Sequence, residues 1–430
     1  MALTHSTART GHGAGRCPRQ DFPHCPTTVP GAILTHSAGA PDTLYAHLRE
    51  HHPVFHDPEF DLWVLSRHHD LDTVLRDATG TYSTALTYTP IHPLDSRAEA
   101  VLAATGVVPV LSSTDPPQHT RFRRAMTATF PTTDRAVRAR ETDRAMAEET
   151  TRATAAFAAT PSRTGDLLTG YAQPAVMAAF GRLTGVPREG HRTIVDQAAA
   201  LTDLVWGRPA PGSQLQAAHA LADLWTHCTD LVARRRHPSG DSDLIDAWIA
   251  HTGPEGERMT AAEVASTLME QLIVVGELLP RAVVGTVARL CAAGSWPPPH
   301  HRHDGTAHDD AVHEAVETTF RHHSPLVGWL RSTTRHVELS GTSVPAGARL
   351  LLLLASAHRD PDKPPNAASL SFGAGIHYCP GAAYTRRLVH HAVTALSTTC
   401  PALTPTDPTT PTGGIANTGV HGPTHLTVAW

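Results

Sequence analysis

The sequence predicts a mainly α-helical fold with a small β region. Long stretches with the three-to-four-residue apolar spacing of amphipathic helices fill 133–293, and Pro- or Gly-rich segments separate them. The β-rich segments are short and lie near residue 62 and within 336–357. The 430 residues, 40% of them hydrophobic, suffice for a large core. Length alone allows either one unit around a buried cofactor or two to three domains.

The N-terminal part of the chain predicts a lead-in followed by a small mixed region. Residues 1–40 are rich in Thr, His, Gly and Pro, which predicts a loosely ordered segment before a domain over 41–430. Within 42–77 the pattern predicts a helix, two short strands (DLWVLS alternates) and a second helix that Asp70 could cap. Residues 82–113 lack clear periodicity and predict a long loop, a kind of segment that often forms a pocket wall.

The remainder of the chain is dominated by helical patterns. Helices are predicted from about His119 and then at 133–159, 166–186, 190–206, 214–236, 260–293 and 310–323. HVELS, TSVPAG and RLLLLLAS predict short strands. A last helix is predicted after Cys379, and 412–428 predicts a hairpin-like segment.

Composition and charge exclude several classes of protein. The formal net charge of −5 argues against a nucleic-acid or membrane-surface partner. The longest apolar run, at 349–357, is too short to span a bilayer, and the N-terminus has no apolar signal core. The six cysteines are scattered without a disulfide pattern. We therefore expect a cytoplasmic protein with reduced thiols and no membrane association.

One cysteine lies in a glycine-rich turn, SFGAGIHYCPGAAYTRRL at 371–388. Phe372 to Gly375 can form a tight bulge because glycine adopts backbone conformations closed to other residues. Pro380 suits a first helical position, which places Cys379 at a helix N-terminus, where the dipole favours a thiolate. Such a thiolate is a soft metal ligand, and haem iron is one metal that takes a single Cys. From position alone, a buried structural cysteine remains the alternative.

The stretch resembles the haem-binding signature of the cytochrome P450 family, Phe-Gly-x-Gly-x-His-x-Cys-x-Gly. The matching residues are Phe372, Gly373, Gly375, His377, Cys379 and Gly381. The resemblance runs from about residue 42 to the C-terminus and implies a single haem domain. It also implies haem b as cofactor, with Cys379 as the axial iron ligand.

Further segments resemble the family's haem-carboxylate donors. His119 and Arg123 match a His-x-x-x-Arg helix, and they lie one turn apart on one face. Arg331 matches an arginine that meets a propionate, and His377 can act likewise. Buried carboxylates need such donors. Without the haem-binding signature around Cys379, the His119–Arg123 pair would be interpreted as part of a solvated helix face.

The helix that carries the family's catalytic groups departs from the usual Ala-Gly-x-(Asp/Glu)-Thr. Gly276 is kept, but Leu278 and Leu279 occupy the acid and alcohol positions. Leucines cannot relay the protons that dioxygen chemistry requires. Glu277 lies one position early and can pair with Arg281 at i,i+4. Pro280 is expected to bend the helix.

Two more departures from the family pattern lie behind the predicted haem. Thr318 stands where Glu-x-x-Arg requires an acid; Arg321 is kept, and Glu317, one residue off register, could form a shifted pair. The segment DKPPNAAS replaces a longer meander that normally carries an Arg. In the family, the acid and arginine of Glu-x-x-Arg and the meander Arg together form a buried charge network. Loss of such a network need not unfold the protein.

The resemblance implies a haem-thiolate monooxygenase or oxidoreductase acting on a small, largely apolar molecule, as in natural-product tailoring by hydroxylation or oxidative bond or ring formation. The departures leave open a peroxide-using or redox-neutral enzyme, and a catalytically silent haem-binding partner protein. Family positions predict pocket walls at 82–112, 195–213, 274–279, 327–329 and 412–421.

If dioxygen is used, electrons must come from a donor, a ferredoxin with its reductase. We expect it to dock near Cys379, on a basic patch that comprises Arg121, Arg124, Arg386 and Arg387. The alternative for these arginines is a set of solvated helix faces.

Overall fold

The computed structural model describes residues 41–130, 136–235, 243–298, 305–407 and 417–430. The predicted lead-in at 1–40 lies outside these residues. The helices are α1 Pro41–His51, α2 His68–Arg76, α3 Ser96–Thr105, α4 Gln118–Thr129, α5 Ala136–Ala158, α6 Gln173–Thr184, α7 His191–Trp206, α8 Pro211–Ala233, α9 Leu244–Ala250, α10 Ala261–Ala292, α11 Gly305–His322, α12 Leu354–His358 and α13 Ala382–Thr399. The mainly helical prediction is therefore confirmed.

The β structure is small and is divided among short sheets. The strands are β1 Val54–Asp57, β2 Leu62–Leu65, β3 Tyr82–Ser83, β4 Thr164–Asp166, β5 Trp329–Thr333, β6 Val337–Leu339, β7 Thr342–Val344, β8 Arg349–Leu352, β9 Thr404–Pro405 and β10 Thr427–Ala429. One sheet has the order β1-β2-β8-β5-β3, a second has β4-β10-β9, and β6 pairs with β7. In the first sheet β2 runs parallel to β8 and antiparallel to β1, with Val64 opposite Leu351.

The predicted elements at 42–77 and most of the long helices are confirmed within a few residues. The predicted Asp70 cap is wrong, because Asp70 lies inside α2 and Arg67 is the N-cap residue. The helix predicted from 166 starts with a π-helical turn at Leu168–Ala172, and α6 follows from Gln173.

The predicted loop at 82–113 is wrong in part, because it contains β3 and α3. Ala98 is the one residue of α3 that is buried. The helix therefore shows no apolar periodicity, and local caps define it instead. Asp95 accepts a hydrogen bond from the Arg97 amide at its start, and Gly106 ends it with a φ of 76°.

The hairpin-like segment predicted at 412–428 also differs from the structure. Residues 412–416 lie outside the described part. From 417 onward, β10 pairs antiparallel with both β4 and β9, and Val420 forms a bridge to Leu326. The C-terminal residues thus join distant parts of the chain, which local sequence patterns do not encode.

The core is built around α10, which packs against α6, α7, α8, α11 and α13. A capping box begins this helix: the Thr260 hydroxyl accepts from the Glu263 amide at 3.2 Å, and the Glu263 carboxylate accepts from the Thr260 amide at 2.8 Å. The helix is long and apolar enough to cross a membrane, but 78% of its apolar window is buried inside the chain. It is a buried core helix, and it forms one wall of the cavity described next.

Candidate functional site

The cysteine follows a tight backbone cradle that is formed by short 3₁₀ turns at Leu370–Phe372 and Gly375–His377. Gly373 and Gly375 have φ values of 68° and 62°, a region that favours glycine. The Cys379 amide donates to the Phe372 carbonyl at 2.8 Å, which closes the bulge. A Cβ on Gly375 would lie 2.6 Å from the Leu75 carbonyl oxygen, so α2 presses directly on the cradle. The bulge predicted at 372–375 is confirmed.

The prediction that Pro380 opens the following helix is wrong. α13 begins at Ala382, with Gly381 as its N-cap residue. Burial raises the pKa of the Cys379 thiol, and a hydrogen bond from the Gly381 backbone lowers it by less. Without metal the thiol therefore holds its proton. A bound metal ion removes that proton outright, because a coordinating thiol is deprotonated.

Cys379 faces a cavity of about 250 Å³ that also reaches α10. The lining is largely apolar and comes from α2, α4, α6, α10, α11, α12, β5, the loop residues before α4, the cradle and the start of α13. It includes Leu75, Leu111, Met126, Phe130, Phe180, Val274, Val275, Leu278, Leu279, Phe320, Leu326, Trp329, Leu354, Phe372, Gly373, Pro380, Gly381 and Tyr384. A largely apolar cavity suits a flat hydrophobic cofactor and a small apolar ligand.

The predicted pocket walls are confirmed only in part. Tyr88, Leu111 and Ser112 come from 82–112, and Trp329 comes from 327–329. The segment 195–213 and the described residues 417–421 do not line this cavity. Instead, the Val327 amide donates to the Gly419 carbonyl at 2.8 Å, so the C-terminal segment packs behind the wall.

Arg331 lies on β5 with 4% of its surface exposed. Burial lowers the pKa of its guanidinium to about 10. Among the described residues, that guanidinium forms a hydrogen bond only with the Leu330 carbonyl, at 2.8 Å. A buried cation with one backbone partner requires an anion. Arg331 lines the cavity, so the position for that anion is inside it.

His119 and His377 lie beside this arginine, with ring centroids 4.2 Å apart. Burial first, and then the charge of Arg331, lower the pKa of His377 to about 3. His119 also has a lowered pKa, mainly because of burial. His119 Nε2 and His377 Nδ1 are buried without a hydrogen-bond partner among the described residues. Both rings are therefore neutral, each with a ring nitrogen that still needs a partner.

Arg123 lies on α4 next to the same cluster, and its Nη1 donates to the Tyr378 carbonyl. It thus supports the cradle directly. Together with His119, His377 and Arg331 it forms a group of donors near Cys379. The Asp115 carboxylate acts on this group through its charge, but no described acid forms an ion pair with Arg331. A haem fits these residues: Cys379 would bind the iron, and the four donors would bind the two carboxylates.

The predicted catalytic stretch of α10 divides into two faces. Leu278 and Leu279 line the cavity. Gly276 faces α7, where an added Cβ would lie 3.4 Å from Ala198. Glu277 faces away from the cavity as well. The helix continues through Pro280 without a break.

Glu277 forms the predicted i,i+4 ion pair with Arg281. The Glu277 carboxylate accepts from Arg281 Nη2 at 2.6 Å, and the two side chains are only 5% and 8% exposed. Arg281 Nη1 also donates to the Pro423 carbonyl at 2.5 Å. This pair therefore ties the central helix to the C-terminal segment, and Glu277 is directed away from the predicted iron.

Glu317 forms its ion pair with a residue outside its own helix. Its carboxylate accepts from Arg386 Nε of α13 at 2.7 Å, and the Arg386 guanidinium lies 4.3 Å from the centre of the Phe372 ring. Arg321, the arginine of the predicted motif, is exposed. Within the described part of the chain, Thr318 Oγ1 donates only to Glu314 Oε1, at 3.4 Å. The shifted acid thus links α11 and α13 to the cradle.

The arginines of the predicted basic patch are each paired with an acid. The partners are Glu263 for Arg121, Glu257 for Arg124, Glu317 for Arg386 and Asp143 for Arg387. Their charge is therefore balanced within the chain rather than presented as an unopposed patch.

The sequence reasoning missed Glu270 of α10, which lines the cavity together with Tyr88 and Ser112. The signal was available, since Glu270 precedes Val274 and Leu278 at four-residue intervals and so shares their helix face. Tyr88 and Ser112 fall inside the predicted pocket wall, but nothing in their local pattern distinguishes them.

Comparison with known proteins agrees with this geometry. No protein-family model matches the chain. Cytochrome P450 130 of Mycobacterium tuberculosis is 30% identical over 382 residues, which cover 84% of this chain and 88% of that protein. Cytochrome P450 monooxygenase PikC of Streptomyces venezuelae is 29% identical over 87% of both chains. Erythromycin C-12 hydroxylase of Saccharopolyspora erythraea is 27% identical over 79% of this chain and 82% of its own length.

Solved structures show the same fold. Cytochrome P450 CREJ, in complex with (4-ethylphenyl) dihydrogen phosphate, superposes with a TM-score of 0.78 at 24% identity, over 91% of this chain and 97% of that one. The Tepidiphilus thermophilus P450 heme domain superposes with a TM-score of 0.78 at 23% identity, over 92% of this chain and 95% of that domain. With the curated relatives and the cysteine cradle, these matches give one assignment. The chain belongs to the cytochrome P450 family.

Proposed function

We propose that the protein is a haem-thiolate monooxygenase that hydroxylates, or oxidatively closes a bond or ring in, a small and largely apolar molecule. One observation carries the proposal. A glycine-cradled thiol, Cys379, and a buried arginine, Arg331, that forms no ion pair with any described residue, border one largely apolar cavity. Bound haem supplies the oxidising chemistry of this family.

The protein's own residues have separable tasks in this proposal. Cys379 holds the iron, and Arg331 with the two histidines orients the cofactor carboxylates. The wall that includes Val274, Leu278 and Trp329 excludes water and packs against the apolar body of the substrate. Since Leu278 and Leu279 cannot move a proton, protons must come from substrate, water or another side chain.

The names of two relatives support a tailoring role. PikC is a monooxygenase and the Saccharopolyspora protein an erythromycin hydroxylase, both from bacteria. We infer that this protein acts in natural-product biosynthesis in the cytoplasm. Dioxygen chemistry on a bound haem would require electrons from a separate donor protein. A ferredoxin and its reductase are therefore the proposed electron source, and peroxide is the second candidate oxidant, favoured by Leu278 and Leu279 in the cavity wall.

Turnover under two regimes tests this function. The haem-loaded protein is incubated with a panel of small apolar molecules, either with dioxygen, NADPH, ferredoxin and reductase, or with hydrogen peroxide alone. We expect oxidised product, detected by mass spectrometry, in at least one regime. The Cys379→Ser variant is expected to form none in either.

The outcome that contradicts catalysis is equally specific. If panel members bind and shift the haem absorption, yet no product forms in either regime, the protein is a silent haem-binding partner. Product that persists undiminished in Cys379→Ser would also exclude a thiolate enzyme.

A further inference from the structure

Besides the residues assigned to the haem, a second group of polar side chains borders the same cavity. α10 contributes Thr267, Glu270 and Gln271 to the wall, and the segment before α4 contributes Tyr88 and Ser112. The first three lie three and four residues apart, so they share one helix face. In a largely apolar cavity, a few convergent polar groups fix the orientation of a ligand.

Glu270 is held in place by two hydroxyl groups. Tyr88 Oη donates to Glu270 Oε1 at 2.5 Å, and Ser112 Oγ donates to the same oxygen. Tyr88 and Ser112 also contact each other at 2.8 Å. Among the described residues, Oε2 accepts no hydrogen bond and no cation pairs with this carboxyl group. One oxygen is thus fixed by the protein, and the other remains available beside the cavity.

Two further oxygens on the same face lack partners. Thr267 is 2% exposed, and its Oγ1 is buried without a hydrogen bond to any described residue. Gln271 Oε1 is likewise buried without a hydrogen bond to any described residue. Leaving a buried polar atom unpaired is unfavourable, so each of these atoms favours a ligand that supplies a hydrogen bond.

The charge of this cluster specifies the ligand. Burial raises the pKa of Glu270, and the hydrogen bonds from Ser112 and Tyr88 oppose that shift. Arg331, the cation that lines the cavity, is required by the haem carboxylates in the proposed function. Because burial favours the neutral form of Glu270, its carboxylate is stabilised only when a cation lies beside it, and no described residue supplies that cation. An ammonium group supplies both the positive charge and N–H donors for the two unpaired oxygens.

We propose that Glu270, with Thr267 and Gln271, binds a protonated amine on the substrate. The inference rests on the proposed function, since it names the class of molecule that the same cavity accepts. The substrate is then an apolar molecule with one basic nitrogen. The amine end lies at Glu270, and the apolar body extends along Val274 and Leu278.

A matched pair of ligands tests this anchor in the haem-loaded protein. The amine is N,N-dimethyl-4-phenylbutylamine, and the neutral isostere, with CH in place of nitrogen, is 5-methylhexylbenzene. Dissociation constants are measured by haem absorption and by calorimetry. We expect Glu270→Gln to lower the preference for the amine over the hydrocarbon by roughly 10- to 100-fold, because a charge-assisted hydrogen bond is lost.

Two variants control for charge and for folding. Glu314→Gln removes the same charge from an exposed site on α11 and should leave the preference unchanged. If Glu270→Gln fails to load haem, Gln271→Leu is used, and a fall of about threefold or more in the preference is expected.

An unchanged preference in these cavity variants overturns the anchor, even where the proposed function stands. A protein that shows no thiolate-type spectrum overturns the proposed function, and the anchor with it.

Discussion

Arg281→Met is expected to destabilise the protein by about 3–5 kcal/mol, because it leaves the Glu277 carboxylate buried without its cation. Glu277 is 4% exposed, and both of its hydrogen bonds come from Arg281. Glu277→Leu should cost less, because Arg281 keeps its bond to the Pro423 carbonyl. The free energy of unfolding in urea measures both effects.

The double variant Glu277→Leu/Arg281→Met separates the effect of an unpaired buried charge from the effect of lost side-chain packing. Two apolar side chains of similar size remove both charges, so most of the lost stability should return. The control is the pair Arg192 and Asp196 on α7, which has the same i,i+4 spacing at 3.1 Å but is 71% and 60% exposed. Breaking that exposed pair should cost less than about 1 kcal/mol. If the double variant were as unstable as the sum of the singles, the buried pair would be a net stabilising element instead.

Arg331→Met is expected to weaken haem binding by roughly 10- to 100-fold without destabilising the haem-free protein. The guanidinium is buried and has one backbone carbonyl as its hydrogen-bond partner among the described residues. Before the cofactor binds, an apolar Met should be tolerated at least as well. The rate of haem transfer to excess apomyoglobin measures the first effect, and urea unfolding of the apoprotein measures the second.

Arg335→Met provides the matched control for this prediction. Arg335 lies two residues beyond β5 and is exposed, so its removal should leave haem transfer unchanged. A large loss of apoprotein stability in Arg331→Met, with haem affinity unaltered, would mean that Arg331 serves the sheet rather than the cofactor.

Local sequence patterns predicted the features that depend on residues close to one another in the sequence. The long helices follow from apolar spacing, and the bulge at 372–375 follows from its glycines, which adopt positive φ at Gly373 and Gly375. The i,i+4 pair of Glu277 and Arg281 follows from helix geometry alone. In each case the residues that determine the feature are close in sequence.

The features that were missed depend on contacts between distant segments. Glu317 meets Arg386 across two helices, and β10 completes a sheet with β4. α3 has a single buried residue and therefore no pattern to find. Glu270 could have been placed on the cavity face by spacing, but its partners Tyr88 and Ser112 lie more than 150 residues away.

The carbon monoxide difference spectrum of the dithionite-reduced protein, recorded beside Cys379→Ser, tests the central claim most directly. A thiolate ligand from Cys379 predicts a red-shifted Soret band that disappears in the variant. Haem-free protein, or a band that the substitution leaves unchanged, would contradict Cys379 as the iron ligand.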